Sequence, residues 1–295
     1  MKRKFILALA SFMLLASLII VFYPMLSNKY MEHTQTKVFA SYTEAVENAA
    51  SADILEAFEK AEEYNKAFWP GITKYSAEEL SVFAREYDNL LNIDNNGVMG
   101  YIEIPKLDVS LPIYHGTKSS TLELGCGHLL GSSLPVGGDS THSILTAHSG
   151  LASQKMFSDI DILESKDIIQ LQILDKTLTY EVYEKKVVLP EETESIQIIE
   201  NEDLVSLVTC TPFGVNTHRL VVTAKRTESL QTIIGPSEIV KVEAKEASIW
   251  EQEYIKGIAL GLIWISVFCS AVLLPIRHLP KFHRRVFFSN QGESL

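Results

Sequence analysis

Two side chains in the sequence have the types and positions needed for nucleophilic attack on a carbonyl group. Cys210 is the last residue of the β-prone run LVSLVTC, and Arg219 is the second residue of the next run, HRLVVTAKR. If these runs pair as neighbouring strands, about 4.8 Å apart, the thiol and the guanidinium share one rim of a sheet. Nearby positive charge favours the thiolate nucleophile, and a planar guanidinium can hold a developing oxyanion.

A histidine at a third strand end completes this set of groups. A departing amine needs a proton donor, and histidine most often serves as that acid/base. His148 follows the apolar run SILTA and precedes a Ser-Gly pair, so it lies where a strand is predicted to end. His142 begins the same run at its opposite end, and strand alternation turns His218 away from Arg219. The remaining candidates are His33, His115 and His128, the last two beside glycines.

Each of these residues also has a structural explanation. A cysteine in a β run is usually a small core residue, an arginine usually forms a surface ion pair, and a histidine after a strand is usually a satisfied structural group. Cys126, in the stretch GCGH, has no basic partner nearby in the sequence. A disulfide between Cys126 and Cys210 is compatible with an exported protein, although the spacing does not demand it.

The sequence lacks the motifs of other common hydrolytic sites. It contains no CxxC or HExxH spacing of the kind that predicts a zinc site. It also contains no G-x-S-x-G motif, which would predict a serine hydrolase. We therefore predict no metal and no cofactor.

Two apolar blocks, residues 5–26 and 257–276, are each long enough to cross a bilayer, which takes about 20 residues. Because Lys2-Arg3-Lys4 precedes the first block, a cleaved signal peptide is an alternative, but signal cores usually span roughly 7–15 residues. For the second block, the alternative is a buried core helix. Basic residues flank the outer end of each block, so residues 1–4 and the basic tail 277–295 are predicted to be cytoplasmic.

The part of the chain between the two blocks is predicted to be extracellular and to change character at about residue 96. Residues 27–95 form a helical stalk or appendage, with helical patterns over 41–69 and 77–91. Residues 96–226 form a barrel or sandwich of short strands, and a polar linker, 227–256, leads to the second block. The clearest β runs are 98–104, 142–147, 167–174, 178–189, 204–210 and 218–226.

The charge of this extracellular part excludes nucleic acid as a partner. The whole chain has a formal net charge of −11. Setting aside eight basic residues that flank the apolar blocks, together with Glu293, leaves 18 basic and 36 acidic residues over 27–255. Affinity for nucleic acid depends on basic contacts, and an acidic surface likewise does not grip anionic lipid headgroups.

The stretch SLVTCTPFGVNTHR closely resembles the Thr-Leu-x-Thr-Cys signature of sortases, the cysteine transpeptidases of Gram-positive surfaces. The stretches over 97–117 and 127–151 resemble class C sortases, which polymerise pilins. The resemblance covers roughly residues 89–226 and both apolar blocks. It implies a mainly β fold, a closed sortase-type β-barrel with N-terminal helices and two flanking transmembrane helices, in the cell membrane.

The same resemblance implies roles and partners. It makes Cys210 the nucleophile, His148 the general acid/base, and Arg219 the oxyanion and substrate clamp. The implied reaction cleaves an LPXTG-like sorting signal between Thr and Gly, and joins pilin subunits through a lysine amine of the incoming pilin. The alternatives are a sortase that attaches single proteins to peptidoglycan, and a non-catalytic scaffold for pilus assembly.

The sequence departs from the class C pattern in three places. Ser206 begins the signature where Thr is usual, and TAHSG replaces a Thr-Gly-His-Arg-Gly pattern, so Ala147 and Ser149 are atypical. Class C members often carry an Asp-Pro-aromatic lid before the barrel, and this sequence contains no Asp-Pro pair. The stretch FWPG, 68–71, is interpreted as the end of a helix, with a divergent plug as the alternative. We therefore predict an open cleft.

Overall fold

A computed structural model describes residues 2–67, 86–149, 154–227, 255–267 and 270. Eight strands close into one barrel in the order β1-β2-β3-β4-β7-β8-β6-β5, which confirms the predicted closed, mainly β barrel. The strands are β1 Val98–Ile104, β2 Val109–His115, β3 Cys126–His128, β4 Thr141–Thr146, β5 Ile168–Ile173, β6 Lys176–Val188, β7 Asp203–Thr211 and β8 His218–Arg226.

The direction of the strands decides which strand ends meet. β4 and β7 are parallel neighbours, whereas β7 and β8 form an antiparallel hairpin. The C-terminal ends of β4 and β7 therefore lie at the same end of the barrel as the beginning of β8. This end brings the β7–β8 hairpin together with the end of β4, which lies about 60 residues earlier in the sequence.

The interior is filled by alternate residues of the strands. From β4, β7 and β8 it receives Leu145, Val205, Leu207, Leu220, Val222 and Ala224, all 5% exposed or less. Because successive side chains point to opposite faces of a strand, the intervening residues of these strands share the outer face. The period-two alternation that predicted the strands is thus the pattern that builds the core.

Two strands, β2 and β3, are not among the clearest predicted runs. Pro112 interrupts the pattern of β2, where it lies opposite Tyr101 of β1. β3 has only three residues, all buried, and three residues are too few to show an alternation. Both strands are positioned by pairing with their neighbours, which local sequence does not encode.

The N-terminal helices are α1, Lys2–Asn48, and α2, Ser51–Ala67. The predicted pattern over 41–69 is therefore divided between two helices. Over the described residues, one helical stretch, Ser11–Asn48, is long and apolar enough to cross a membrane, and its most apolar window has a mean hydropathy of 1.7. A shorter apolar helix, Ile255–Val267, begins the second block. The second span therefore stays a prediction.

Several predicted features lie outside the described residues. The FWPG stretch belongs to 68–85, which also includes most of the predicted helix 77–91. The linker 227–256 is described only at its two ends, and the basic tail 277–295 lies wholly outside the described part. These features stay predictions.

The later part of α1 and the buried face of α2 pack against the barrel, so this part of the predicted stalk or appendage is in contact with it. The Tyr42 hydroxyl donates to the carbonyl of Met99 at 3.0 Å and accepts from the amide of Leu174 at 2.8 Å. On α2, the buried Asn65 amide makes a two-way pairing with the main chain of Leu134, at 3.1 and 2.6 Å. Tyr42 and Asn65 therefore satisfy buried main-chain groups of residues far away in the sequence.

Candidate active site

Cys210 and Arg219 are direct cross-strand partners. The β7–β8 register sets Cys210 opposite Arg219 and, one step nearer the loop, Thr211 opposite His218. Side chains of directly opposed residues lie on the same face with Cβ atoms about 5 Å apart. Both residues are partly exposed. The predicted common rim for thiol and guanidinium therefore agrees with the register of the hairpin.

His148 lies level with Cys210 on the neighbouring strand line. The parallel ladder pairs Thr146 with Val208 and continues past the end of β4. The amide of Ala147 donates to the carbonyl of Val208 at 3.3 Å. Residues two apart share a face, so the next pair on the outer face after Thr146 and Val208 is His148 and Cys210.

Two hydroxyl groups extend this contact between the two segments. The Thr209 hydroxyl donates to the carbonyl of Ala147 at 2.8 Å. The Ser149 hydroxyl donates to the carbonyl of Cys210 at 2.6 Å. Both contacts hold the segment that follows β4 in the register that β4 began. From the sequence alone, Ser149 stands out only as a departure from the class C pattern.

Arg219 is tied to the loop that joins β7 and β8. Its Nη1 donates to the carbonyl of Asn216 at 3.2 Å and to the carbonyl of His218 at 3.0 Å. Gly214 and Asn216 have φ values of 74° and 62°, a region that glycine and asparagine tolerate best. This loop chemistry keeps the guanidinium at the barrel end that carries Cys210.

His142 occupies the opposite end of the same outer face and is built into the fold. Its Nδ1 contacts the carbonyl of Gln197 at 2.8 Å, and its Nε2 contacts the hydroxyl of Ser206, also at 2.8 Å. The Ser206 hydroxyl in turn contacts that of Thr223 at 2.8 Å. Loss of hydration on burial lowers the pKa of His142 to about 4. The neutral imidazole therefore holds the segment before β7 against the barrel.

His128 is a second buried structural histidine. Its Nε2 donates to the carbonyl of Ser133 at 2.8 Å, and its Nδ1 contacts the Tyr87 hydroxyl at 2.8 Å. Burial lowers the pKa of His128 to about 4, and the nearby His115 adds to this effect. His115 contacts the carbonyls of Gly97 and Leu90 through its two ring nitrogens.

The two remaining candidates among the six histidines between the apolar blocks are also placed by the structure. His33 lies in α1. His218, the partner of Thr211, contacts the Thr217 hydroxyl at 2.9 Å. His148 is thus the histidine that the register brings level with Cys210.

Cys126 is a buried core residue. It is fully enclosed and belongs to the barrel core. Burial raises the pKa of its thiol, so the reactive thiolate is disfavoured. Both Cys126 and Cys210 are free thiols, so the disulfide that the sequence left open is not formed. Among the described residues, no group of three or more His, Cys, Asp or Glu side chains is arranged to hold a metal ion.

Comparison with known proteins matches a Sortase domain family model to residues 102–227. The chain is 43% identical to a solved sortase C1 from Streptococcus agalactiae, covering 65% of this chain and 98% of that one, with a TM-score of 0.61. It is 38% identical to sortase C from Streptococcus pneumoniae, covering 65% and 96% with a TM-score of 0.57. It is 40% identical to a sortase C from Clostridium perfringens with a C-terminal cell wall sorting motif, covering 65% and 99% with a TM-score of 0.55.

The chain belongs to the sortase family, whose members are cysteine transpeptidases. The match to solved sortases extends over almost their whole length, whereas the chain spans 55% and 62% of two curated sortases that it also matches. The family assignment agrees with the resemblance that the signature around Cys210 indicated.

Proposed function

We propose that this chain is a class C sortase, a membrane-anchored enzyme that cleaves an LPXTG-like sorting signal between Thr and Gly and joins pilin subunits through a lysine isopeptide bond. The observation that carries the proposal is the register that sets Cys210 opposite Arg219, with His148 level with Cys210. The similarity of the chain to sortase C structures supports its assignment to class C. The work on the S. pneumoniae relative concerns pilin substrate specificity.

In the proposed acylation step, the Cys210 thiolate attacks the carbonyl carbon of the signal's Thr–Gly bond. The carbon–sulfur bond forms as the carbonyl becomes an oxyanion, which the Arg219 guanidinium stabilises by donating hydrogen bonds. The protonated His148 imidazole then gives its proton to the Gly nitrogen as the C–N bond breaks. The products are a thioester on Cys210 and a free amine on the C-terminal fragment.

In the proposed transfer step, a lysine amine of the next pilin attacks the thioester carbonyl. His148, now neutral, accepts the proton that the amine loses, and Arg219 again stabilises the oxyanion. The carbon–sulfur bond breaks, the Cys210 thiolate is restored, and an isopeptide bond remains. No oxidant, metal or nucleotide is needed, because the energy of the original peptide bond is kept in the thioester.

The membrane arrangement is part of the proposal. Residues 5–26, whose later part lies in the apolar helical stretch Ser11–Asn48, supply the first anchor. Residues 257–276 supply a second span, so both termini are cytoplasmic and the barrel is extracellular. Reporter fusions after residue 26, within the 227–256 linker and after residue 285 test this topology. The first two reporters are expected to lie outside the cell and the third in the cytoplasm. If the reporter after residue 285 also lies outside the cell, the second span is contradicted.

The catalytic assay uses the full-length chain in lipid vesicles with a synthetic LPXTG-like peptide. Mass spectrometry is expected to detect the acyl group on Cys210, and an added pilin is expected to be acylated on a lysine. A matched reaction offers the cross-bridge amine of peptidoglycan. Preference for that amine would support the alternative of single-protein attachment to the wall.

Cys210→Ala is the control that separates an enzyme from a scaffold. The variant is expected to form neither the thioester nor the isopeptide product. If pilus polymer persists in cells that carry only this variant and no other sortase, the protein acts as a non-catalytic assembly factor and the proposal fails.

The open cleft is a separate proposal, because the FWPG stretch lies outside the described residues. Cys210 is partly exposed in the described part of the chain, which supports rapid reaction with iodoacetamide. Slow labelling that accelerates in the variant Trp69→Ala would instead identify an aromatic plug.

A further inference from the structure

We propose that Ser149 is a positioning residue, whose hydroxyl keeps His148 level with the nucleophile by donating a hydrogen bond to the main-chain carbonyl of Cys210. The proposal rests on the proposed function, because it concerns the geometry of the same site. The donor and acceptor atoms are 2.6 Å apart. This contact joins the segment of the acid/base directly to the residue that carries the sulfur.

The contact occupies the place of a rung in the β4–β7 ladder. In a parallel pair the amide of residue 147 bonds the carbonyl of 208, and the next amide in the series, that of residue 149, faces the carbonyl of 210. In this structure the amide of Ala147 donates to the carbonyl of Val208. The carbonyl of Cys210 accepts from the hydroxyl of the Ser149 side chain. The ladder is thus extended by a hydroxyl beyond the last residue of β4.

The segment around His148 depends on a few contacts. The carbonyl of His148 accepts from the amide of Phe157 at 3.1 Å, and Phe157 is fully buried. That bond fixes one side of the segment to the core. The Ser149 bond fixes the other side to β7. With both in place, the main chain at His148 is held from two directions, and only side-chain rotation is left to adjust the imidazole.

The residue type at this position gives the proposal its specificity. A serine hydroxyl on a short side chain reaches a carbonyl of the adjacent strand. The arginine at this position in the Thr-Gly-His-Arg-Gly pattern carries a long cationic group instead. Alanine would leave the carbonyl of Cys210 without this donor. Threonine keeps the hydroxyl and adds a methyl group at a position that is partly exposed.

The first test measures turnover of an LPXTG-like peptide by the full-length chain and three variants. Removing one neutral hydrogen bond corresponds to roughly a three- to tenfold loss, which is expected in kcat for Ser149→Ala with KM unchanged. Ser149→Thr is expected to restore kcat to within about twofold, because it keeps the donor. Unchanged kcat in Ser149→Ala, or no recovery in Ser149→Thr, would overturn the proposal.

Ser140→Ala is the matched control at the other end of the same two strands. The Ser140 hydroxyl accepts from the amide of Asn201 at 3.0 Å, just before β4 and β7 begin. Removing it also deletes a serine contact with the main chain of the neighbouring segment. If Ser140→Ala lowers kcat as much as Ser149→Ala does, the effect is general loosening and the positioning role is wrong.

A second test does not depend on turnover. Histidine ring resonances are recorded by NMR before and after Cys210 is converted to a methyl disulfide, with the His148 signal assigned from His148→Ala. The parent and Ser140→Ala are expected to show a clear shift at His148, and Ser149→Ala a smaller one. Equal shifts in all three proteins, or none in the parent, would overturn the positioning role. An inactive parent that still shows the expected pattern would refute the proposed function alone.

Discussion

The two buried histidines are expected to make the barrel less stable as the pH falls. His142 and His128 have pKa values of about 4 in the folded chain, against an ordinary value of 6.5, because burial removes water from the charged ring. Between these two pH values the unfolded chain binds more protons than the folded chain. Stability is therefore fully present above about pH 6.5 and is lost as the pH falls towards 4.

The size of the effect follows from the two pKa values. Each histidine contributes about 3 kcal/mol over the whole window, of which about 2 kcal/mol is lost between pH 7 and pH 5. For the pair, the expected loss is about 4 kcal/mol, a large part of the roughly 5–15 kcal/mol that stabilises a typical domain. Partly buried carboxyl groups such as Asp203, whose pKa is raised by loss of hydration, change stability in the opposite direction.

Variants isolate the histidine contribution. The free energy of unfolding by urea is measured by circular dichroism at pH 7 and pH 5, for the full-length chain in detergent. His142→Gln and His128→Gln each remove one titrating ring, so each is expected to reduce the pH 7 to pH 5 loss by about 2 kcal/mol. His218→Gln, at a partly exposed position, serves as the control. A pH dependence that is the same in the parent and both buried variants would refute the reasoning.

The remaining predictions concern catalysis and the fold. Arg219→Lys is expected to lower kcat at least roughly 100-fold, because a point charge does not reproduce the planar fork; near-parent turnover would remove Arg219 from the site. His148→Ala is expected to lower transfer at least roughly 100-fold while Cys210 still reacts with iodoacetamide, and unchanged transfer would shift the role to another histidine. Gly127→Ala places a Cβ atom against the carbonyl oxygen of Gly116, so thermal denaturation should show a loss of about 3 kcal/mol or more; a parent-like melting temperature would contradict that clash.

The barrel could be predicted from the sequence because most of its strands show a clear β-type residue pattern. β1 and β8 begin and end at the predicted residues, and β4 to β7 differ from the predicted runs by one or two residues at their ends. β3 could not be predicted from the sequence, because it has only three residues and forms a strand through pairing with other parts of the chain. The helix boundary at residues 49–50 was missed for a similar reason, since the apolar spacing runs on through it.

The arrangement of the candidate site was predictable in part. Cys210 and Arg219 stand on consecutive runs, so a hairpin alone suffices to bring them together. The placement of His148 depends on the parallel pairing of β4 with β7, and spacing along the chain does not reveal which strands become neighbours. Ser149 was not recognised, because a hydroxyl that donates to a carbonyl on another strand leaves no periodic trace in the sequence.

The hairpin between β7 and β8 supports Cys210 and Arg219 on its strands, apart from its tip, residues 212–217, which is exposed to solvent. Strand pairing alone fixes Cys210 against Arg219, and the tip reaches the guanidinium through a main-chain oxygen of Asn216, an atom that every residue type possesses. Its apolar members, Phe213 and Val215, are 41% and 64% exposed. Residues 212–217 can therefore be replaced by another loop. A graft that keeps the turn geometry is expected to change which molecules bind at the tip and to leave the pairing of Cys210 with Arg219 unchanged.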